Sequence, residues 1–177
     1  KVAERLAELG VSRLSVSLDS FDDKIHDEFR GKKGALKKAM EALEHAKTAG
    51  MSTYMNITVG HYNAFDEDIE NLLQHSLDNG YTTLLNVACP SGSWASNDEV
   101  MCDEKDTAHI IQLRKKYKNI FRNLWNPLDK EFESVLGCNT VNRMYITPLG
   151  DVLVCPYVHI KIGNIYEQSL REIKDYG

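Results

Sequence analysis

The stretch VSRLSVSLDS, residues 11–20, decides the fold class of this 177-residue chain. Its aliphatic and polar side chains alternate: Leu14, Val16 and Leu18 against Ser15, Ser17 and Asp19. This period of two predicts a β-strand with one aliphatic face and one face of two hydroxyls and a carboxylate. On a surface strand the polar face would meet water, whereas inside a closed barrel it would line the interior.

Helical and strand patterns alternate along the chain around this strand. Further strands are predicted at 51–59 and 82–90, and helices at 2–9, 34–49, 66–79 and 103–118, with a short helical turn within 22–30. Each crossover can hold a helix, so we expect parallel strands and right-handed connections. Residues 1–118 are predicted to form an α/β domain, either half a barrel or part of an open sheet. Such a sheet leaves edges uncovered, and the chain begins and ends inside helical patterns, so we expect a piece of a longer protein.

The pattern changes after residue 118. Residues 119–136 are interpreted as a linker and residues 137–177 as a small second domain. There RMYIT and VLVCP flank the turn PLGD and predict a β-hairpin, followed by an extended segment, KIGNIYEQ, and a helix, SLREIKDY. Ser169 and Glu172 form the pattern of a capping box at the start of that helix.

Two cysteines, Cys138 and Cys155, bracket the predicted hairpin, and a disulfide, a metal site or two buried thiols would each explain them. The four cysteines are spread out and do not resemble a secreted disulfide framework, which favours a reduced, cytoplasmic protein and lowers the disulfide option. A net charge of −5 argues against a nucleic-acid partner, because phosphate binding needs a basic surface. No apolar run approaches the roughly 20 residues of a membrane span, so we expect no membrane partner.

The spacing around the hairpin resembles a known motif. Cys138, eleven residues, Gly150, four residues and Cys155 are similar to the first half of the auxiliary-cluster motif of radical S-adenosylmethionine (radical SAM) enzymes. The neighbouring ITPLGDVLVCP, IGNI and SLREI resemble the same region, called the SPASM domain or, in its shorter form, the twitch domain. The resemblance implies an auxiliary [4Fe–4S] cluster with Cys138 and Cys155 as ligands, and further cysteines downstream of the given sequence.

The first half of the chain resembles the same family independently. VSRLSVSLDSFDDKIHDEFRG is similar to the fourth strand and following loop of the partial (β/α)6 barrel of radical SAM enzymes. The resemblance implies that Ser17 and Arg30 contact the amino-acid part or ribose of S-adenosylmethionine, with Asp19 nearby on the same strand face. The alternative for Arg30 is a surface salt bridge with Asp27 or Glu28, which would stabilise little.

Two later segments extend this resemblance along the barrel. MNITVGHYN resembles the fifth strand, which implies that Asn56 faces the interior and the cofactor. NVACPSGSW resembles the sixth strand, whose end, at Ala88, lies against the adenine. His26 and Asp27 are predicted to hold the loop and the helix start rather than to take part in chemistry. The implied architecture is strands 4 to 6 of the barrel followed by a SPASM or twitch domain.

The resemblance implies a radical SAM oxidoreductase that generates a 5′-deoxyadenosyl radical for hydrogen abstraction, and we expect peptide or protein modification. The substrate would be a peptide, a protein or a small molecule, and the reductant a flavodoxin or ferredoxin. The CxxxCxxC loop of the catalytic cluster is not in the given sequence and is expected upstream, so we assign no catalytic residue and expect the given chain alone to be inactive. The alternative is a non-catalytic module, cluster-free or zinc-binding, that docks a partner protein.

Overall fold

The computed structural model describes residues 1–121, 144–155 and 160–176. Of residue 176, only the backbone is described. The chain divides into two units, Lys1–Arg122 and Asn123–Gly177, and each is described by itself. Within the described residues, no helix has the length and apolar character needed to cross a membrane.

The first unit contains every helix and strand predicted for residues 1–118. Its elements are α1 (Val2–Glu8), β1 (Arg13–Ser17), α2 (Asp23–Phe29), α3 (Ala35–Thr48), β2 (Ser52–Val59), α4 (Glu67–Asn79), β3 (Thr82–Val87) and α5 (Glu104–Lys116). Two short 3-10 turns, Gly92–Trp94 and Asp98–Val100, lie between β3 and α5 and were not predicted. The predicted α/β character is confirmed.

The three strands run parallel, as predicted, and they form a sheet in the order β1-β2-β3. Ser17 lies opposite Asn56, and Asn56 lies opposite Leu84. Because the strands are parallel, their carboxyl ends share one edge of the sheet, the edge where α/β proteins place ligands.

One face of the sheet packs against the helices. Leu18, which directly follows β1, Met55 in β2 and Leu72 in α4 are completely buried in this core. Each such side chain contributes about 1.5–3 kcal/mol on burial. Side chains of a strand alternate between faces, so the opposite face carries the polar set Ser15, Ser17, Asn56, Thr58 and Asn86. The aliphatic and polar faces predicted for residues 11–20 are therefore both present.

The second unit contains an antiparallel sheet in the order β4-β5-β6, followed by a helix. Its elements are β4 (Tyr145–Ile146), β5 (Asp151–Leu153), β6 (Lys161–Asn164) and α6 (Leu170–Tyr176). The segment that contains β6 was predicted only as extended. In the structure it pairs with the edge of β5 that β4 leaves open, and this pairing supplies hydrogen-bond partners for the backbone groups of β5. The predicted capping box is confirmed, because the Ser169 N–H donates to Glu172 Oε2 at 2.9 Å and the Glu172 N–H donates to Ser169 Oγ at 3.3 Å.

Candidate functional site

The segments that follow β1, β2 and β3 approach one another closely at the carboxyl edge of the sheet. The Thr58 N–H donates to Asp19 Oδ1 at 3.2 Å, and the Ala88 N–H donates to the Val59 carbonyl at 2.7 Å. A Cβ added to Gly60 would lie 2.8 Å from the Ala88 Cβ, which is closer than two carbons can pack. Ala88 is thus buried against Gly60 at the strand ends, where the adenine contact was predicted.

Asp19 and Arg30 form a half-buried ion pair at this edge. The Arg30 Nε donates to Asp19 Oδ2 at 2.8 Å, and Nη2 donates to the same oxygen. The Asp19 side chain is 6% exposed and that of Arg30 is 32% exposed. The partner of Arg30 is therefore Asp19, and the alternative of a surface pair with Asp27 or Glu28 is wrong. A guanidinium has five N–H donors, so Arg30 keeps donors for a ligand carboxylate.

His26 and Asp27 hold the loop that carries Arg30. The buried His26 accepts the Asp19 N–H through Nδ1 at 3.2 Å, and burial lowers the pKa of His26, which keeps the ring neutral and able to accept. Asp27 accepts the N–H of Leu36 at 3.0 Å and that of Gly34, and these backbone bonds lower the pKa of Asp27. The prediction that both residues serve the loop is confirmed.

The polar sheet face contains a buried acceptor without a partner. Asn56 Nδ2 donates to Ser15 Oγ at 2.9 Å, whereas Asn56 Oδ1 has no hydrogen-bond partner among the described residues. A buried polar atom left without a partner costs about 1–3 kcal/mol, which a bound donor would recover. Ser17 lies beside Asn56 in the register and is half-buried. S-adenosylmethionine carries a carboxylate, an ammonium, ribose hydroxyls and an adenine, so the donors and acceptors of this face and of Arg30 fit it.

In the second unit, Gly150 occupies a position that only glycine suits. Its φ is +82°, and an added Cβ would lie 2.5 Å from two ring carbons of Tyr166. The Ile165 N–H donates to the Gly150 carbonyl at 2.9 Å, which joins the hairpin turn to the segment after β6. The glycine of the cysteine motif is thus required both by the turn and by the packing of Tyr166.

The two predicted iron ligands differ in what the structure describes. Cys155 follows β5 and is half-buried. Cys138 lies outside the described residues, so the convergence of the two thiolates stays a prediction. Cys102 lies in the first unit, where burial raises its pKa to about 11.

A groove lined by aromatic residues, which the sequence did not predict, lies in the first unit. Phe29, Tyr62 and Trp94 line it together with the polar side chains of His61, Asn97 and Glu99, and its volume is about 610 Å³. The ring centroids are 6.3 Å apart for Phe29 and Tyr62, 5.8 Å for Phe29 and Trp94, and 5.7 Å for Tyr62 and Trp94. We call this the aromatic groove.

His61, which lines the aromatic groove, forms a cluster with the carboxylates of Asp103, the residue before α5, and Asp106, within α5. His61 Nδ1 lies 2.7 Å from Asp106 Oδ2, and this hydrogen bond raises the pKa of His61. Asp103 caps α5 by accepting the N–H of Lys105 at 2.7 Å and that of Asp106 at 2.9 Å. One oxygen from each carboxylate and one His61 nitrogen lie within 4.8 Å of one another, a spacing that a metal ion could use. The capping box and the ion pair already explain the cluster, so it assigns no metal.

Comparison with known families identifies the chain. The family model of the Radical SAM superfamily matches residues 1–75, and that of the SPASM iron-sulfur cluster-binding domain matches residues 138–175. Residues 1–75 therefore belong to the radical SAM superfamily, and residues 138–175 belong to the SPASM domain family. Both halves of the predicted resemblance are confirmed, in the predicted order, and a radical SAM domain followed by a SPASM domain implies S-adenosylmethionine and [4Fe–4S] clusters as cofactors.

Relatives in this superfamily carry different names. An AdoMet-dependent heme synthase of Methanosarcina barkeri is 27% identical, over 98% of this chain and 56% of the relative. A GTP 3′,8-cyclase of Marinobacter nauticus is 25% identical, over 97% of this chain and 54% of the relative. The sporulation killing factor maturation protein SkfB of Bacillus subtilis is 22% identical, over 96% of this chain and 42% of the relative. The chain thus spans about half the length of the curated radical SAM relatives it matches, and those relatives are enzymes.

Proposed function

We propose that the whole protein is a cytoplasmic radical SAM oxidoreductase that modifies a peptide or protein. S-adenosylmethionine, when bound and reduced through the catalytic cluster, supplies a 5′-deoxyadenosyl radical that abstracts hydrogen. The observation that carries the proposal is the Asp19–Arg30 pair at the carboxyl edge of the sheet, beside a polar face with a buried acceptor. A cation held at a strand end by a nearly buried carboxylate is suited to orient an anionic group of a ligand.

The residues of this face have separate roles in the proposal. Arg30 binds the cofactor carboxylate, and Asp19 positions Arg30, because both Asp19 oxygens already accept hydrogen bonds from the protein. Ser17 and Asn56 provide hydrogen bonds to polar groups of the cofactor. Ala88 offers a small apolar contact to the adenine at the end of β3.

The second unit holds the auxiliary [4Fe–4S] cluster in this proposal. Cys138 and Cys155 are ligands on either side of the hairpin, and Gly150 supports its turn by the φ and packing described above. Thiolates are the usual ligands of such clusters. When bound, such a cluster would take up an electron from the substrate radical or anchor the domain, and a flavodoxin or ferredoxin would be the reductant.

The test is cofactor binding by the full-length protein after anaerobic reconstitution. Arg30→Gln removes a charged hydrogen bond, which is worth about 1.5–3 kcal/mol, so we expect affinity for S-adenosylmethionine to fall about 10- to 150-fold in calorimetric titration. Asp19→Asn should lower the affinity for S-adenosylmethionine by a smaller factor than Arg30→Gln does, because Arg30 is still present but no longer paired with a carboxylate. Arg5→Gln is the matched control, since Arg5 is an exposed arginine paired with Glu8 in α1. Unchanged affinity in Arg30→Gln would contradict the assigned role of this face.

The substrate class is supported by the maturation protein SkfB among the relatives. A heme-forming reaction is the second candidate, because other relatives are named heme synthases, one of them 42% identical over 57 residues, 32% of this chain. Incubation with S-adenosylmethionine and dithionite separates the two candidates. A changed peptide mass supports modification of a peptide, whereas a heme absorption spectrum from a tetrapyrrole precursor supports the second candidate.

A further inference from the structure

The three strand ends of the first unit each lead to one aromatic residue of the aromatic groove. Phe29 ends α2 after β1, Tyr62 follows β2, and Trp94 lies in the 3-10 turn after β3. Phe29 is 38% exposed and Tyr62 is 44% exposed, although both are large aromatic side chains. Exposed apolar surface gathered into a concave site indicates a ligand, and the carboxyl edge of a parallel sheet is where such ligands bind.

The rings are arranged for contact with a further flat group. Phe29 and Tyr62 are nearly parallel, at 24°, and Trp94 is inclined to them by 57° and 61°. Burial raises the pKa of Tyr62, so its phenol stays protonated and can donate a hydrogen bond. An additional aromatic ring packing on such a cluster gains about 0.5–1.5 kcal/mol beyond the area it buries.

One carboxylate lies in the lining of the groove. It belongs to Glu99, and the other polar lining residues are His61 and Asn97. The basic side chains beside the rings already have partners within the protein. Arg30, which lies 5.3 Å from the Phe29 ring centroid, is paired with Asp19, and His61 is hydrogen-bonded to Asp106. A ligand with positive charge therefore meets the Glu99 carboxylate and the negative faces of aromatic rings.

We propose that the aromatic groove binds a peptide segment of the substrate that places an aromatic side chain next to a lysine or arginine. This inference rests on the proposed peptide-modifying function and names the class of sequence that the same site recognises. The aromatic side chain packs on Phe29, Tyr62 and Trp94. The neighbouring cation lies toward Glu99.

The test compares three synthetic peptides on the full-length, reconstituted protein by calorimetric titration. They are acetylated, amidated heptapeptides with Lys-Phe-Lys, Lys-Leu-Lys or Glu-Phe-Glu between pairs of glycines. We expect the Lys-Phe-Lys peptide to bind most tightly, at least 5-fold better than Lys-Leu-Lys and better still than Glu-Phe-Glu. Equal binding of the phenylalanine and leucine peptides, or preference for the glutamate peptide, overturns the inference.

Matched variants assign the binding to this groove. Trp94→Leu should weaken the Lys-Phe-Lys peptide about 2- to 13-fold, the range set by one aromatic contact. Phe65→Leu is the control, because Phe65 is exposed but stacks on His109, outside the groove lining. Glu99→Gln tests the charge without removing a ring and should weaken the same peptide while reducing its salt dependence. Peptide binding that is unchanged in both Trp94→Leu and Glu99→Gln overturns the assignment.

S-adenosylmethionine itself combines an aromatic base with positive charge, so competition must be measured. The peptide should bind equally well when the protein is saturated with S-adenosylmethionine, and Trp94→Leu should leave cofactor affinity unchanged. Displacement of the peptide by the cofactor overturns the inference, because the groove would then belong to the cofactor. A protein that binds the peptide but no S-adenosylmethionine contradicts the proposed function while leaving the groove intact, so the two failures are distinguishable.

Discussion

Replacing Gly150 with alanine should destabilise the hairpin of the second unit by an amount that can be worked from two observations. The first is the backbone: φ is +82°, and an L-residue in the left-handed region costs about 1–2 kcal/mol. The second is packing: the new Cβ would lie 2.5 Å from two ring carbons of Tyr166. The Tyr166 side chain is 77% exposed, so the ring can turn away at the cost of an unfavourable rotamer, about 0.5–1.5 kcal/mol.

The expected loss is therefore about 1.5–3.5 kcal/mol, which corresponds to amide exchange about 10- to 400-fold faster in peptides from 144–155 and 160–173. Hydrogen exchange followed by mass spectrometry is the assay, because it reports each unit of the chain separately.

Gly50→Ala is the matched control. Gly50 also has a positive φ, +77°, and an added Cβ would meet no described atom within 4 Å. Both alanines lower the entropy of the unfolded chain equally, so that contribution cancels in the comparison. Gly50→Ala should cost about 1–2 kcal/mol around residues 43–59, and adding Tyr166→Ser should bring Gly150→Ala down to the same loss. Equal losses in the two single variants would refute the Tyr166 contact, and no loss in Gly150→Ala would refute the positive φ.

Three further predictions concern the first unit. Leu72→Ala should lower the free energy of unfolding by about 2–5 kcal/mol in urea titration, because Leu72 is completely buried. Ser76→Ala removes the acceptor of the buried Thr83 hydroxyl, at 2.7 Å, and should cost about 1–3 kcal/mol, part of which Thr83→Val restores. Burial lowers the pKa of His26 and of His75 below 6.5, so the unfolded chain binds protons more readily and stability should fall as pH drops below 6.5 through the folded pKa values. His26→Gln should reduce this pH dependence without abolishing it, and an unchanged dependence would contradict the assignment.

The local elements of the first unit could be predicted because each is encoded by its own side-chain period. Residues 11–20 alternate every second position, and the helices repeat every three to four, so burial of one face selects strand or helix before any tertiary contact is known. The parallel direction of the strands was predicted from the length of the connections between them. The cysteine motif was recognised by its resemblance to a known family, because the spacing of Cys138, Gly150 and Cys155 matches the motif of that family.

The partners of the site residues could not be predicted in the same way. Arg30 has acidic neighbours in sequence at Asp27 and Glu28, yet it pairs with Asp19, because the loop after β1 folds back over the strand end. His61 meets Asp106 across 45 positions of the chain. Charge type alone does not say which of several carboxylates an arginine or histidine reaches.

The sequence by itself determined the order of helices and strands and the two faces of β1. These depend on side-chain periodicity, which is a local property of a chain. Its two motifs also carried the resemblance to the family. Only the tertiary structure decided that Phe29, Tyr62 and Trp94 share one groove and that Asp19 holds Arg30. The three aromatic residues follow three different strands, and they meet because parallel strands bring their carboxyl ends to one edge. Asp19 and Arg30 meet because the segment after β1 folds back over the strand end. No local pattern records either placement.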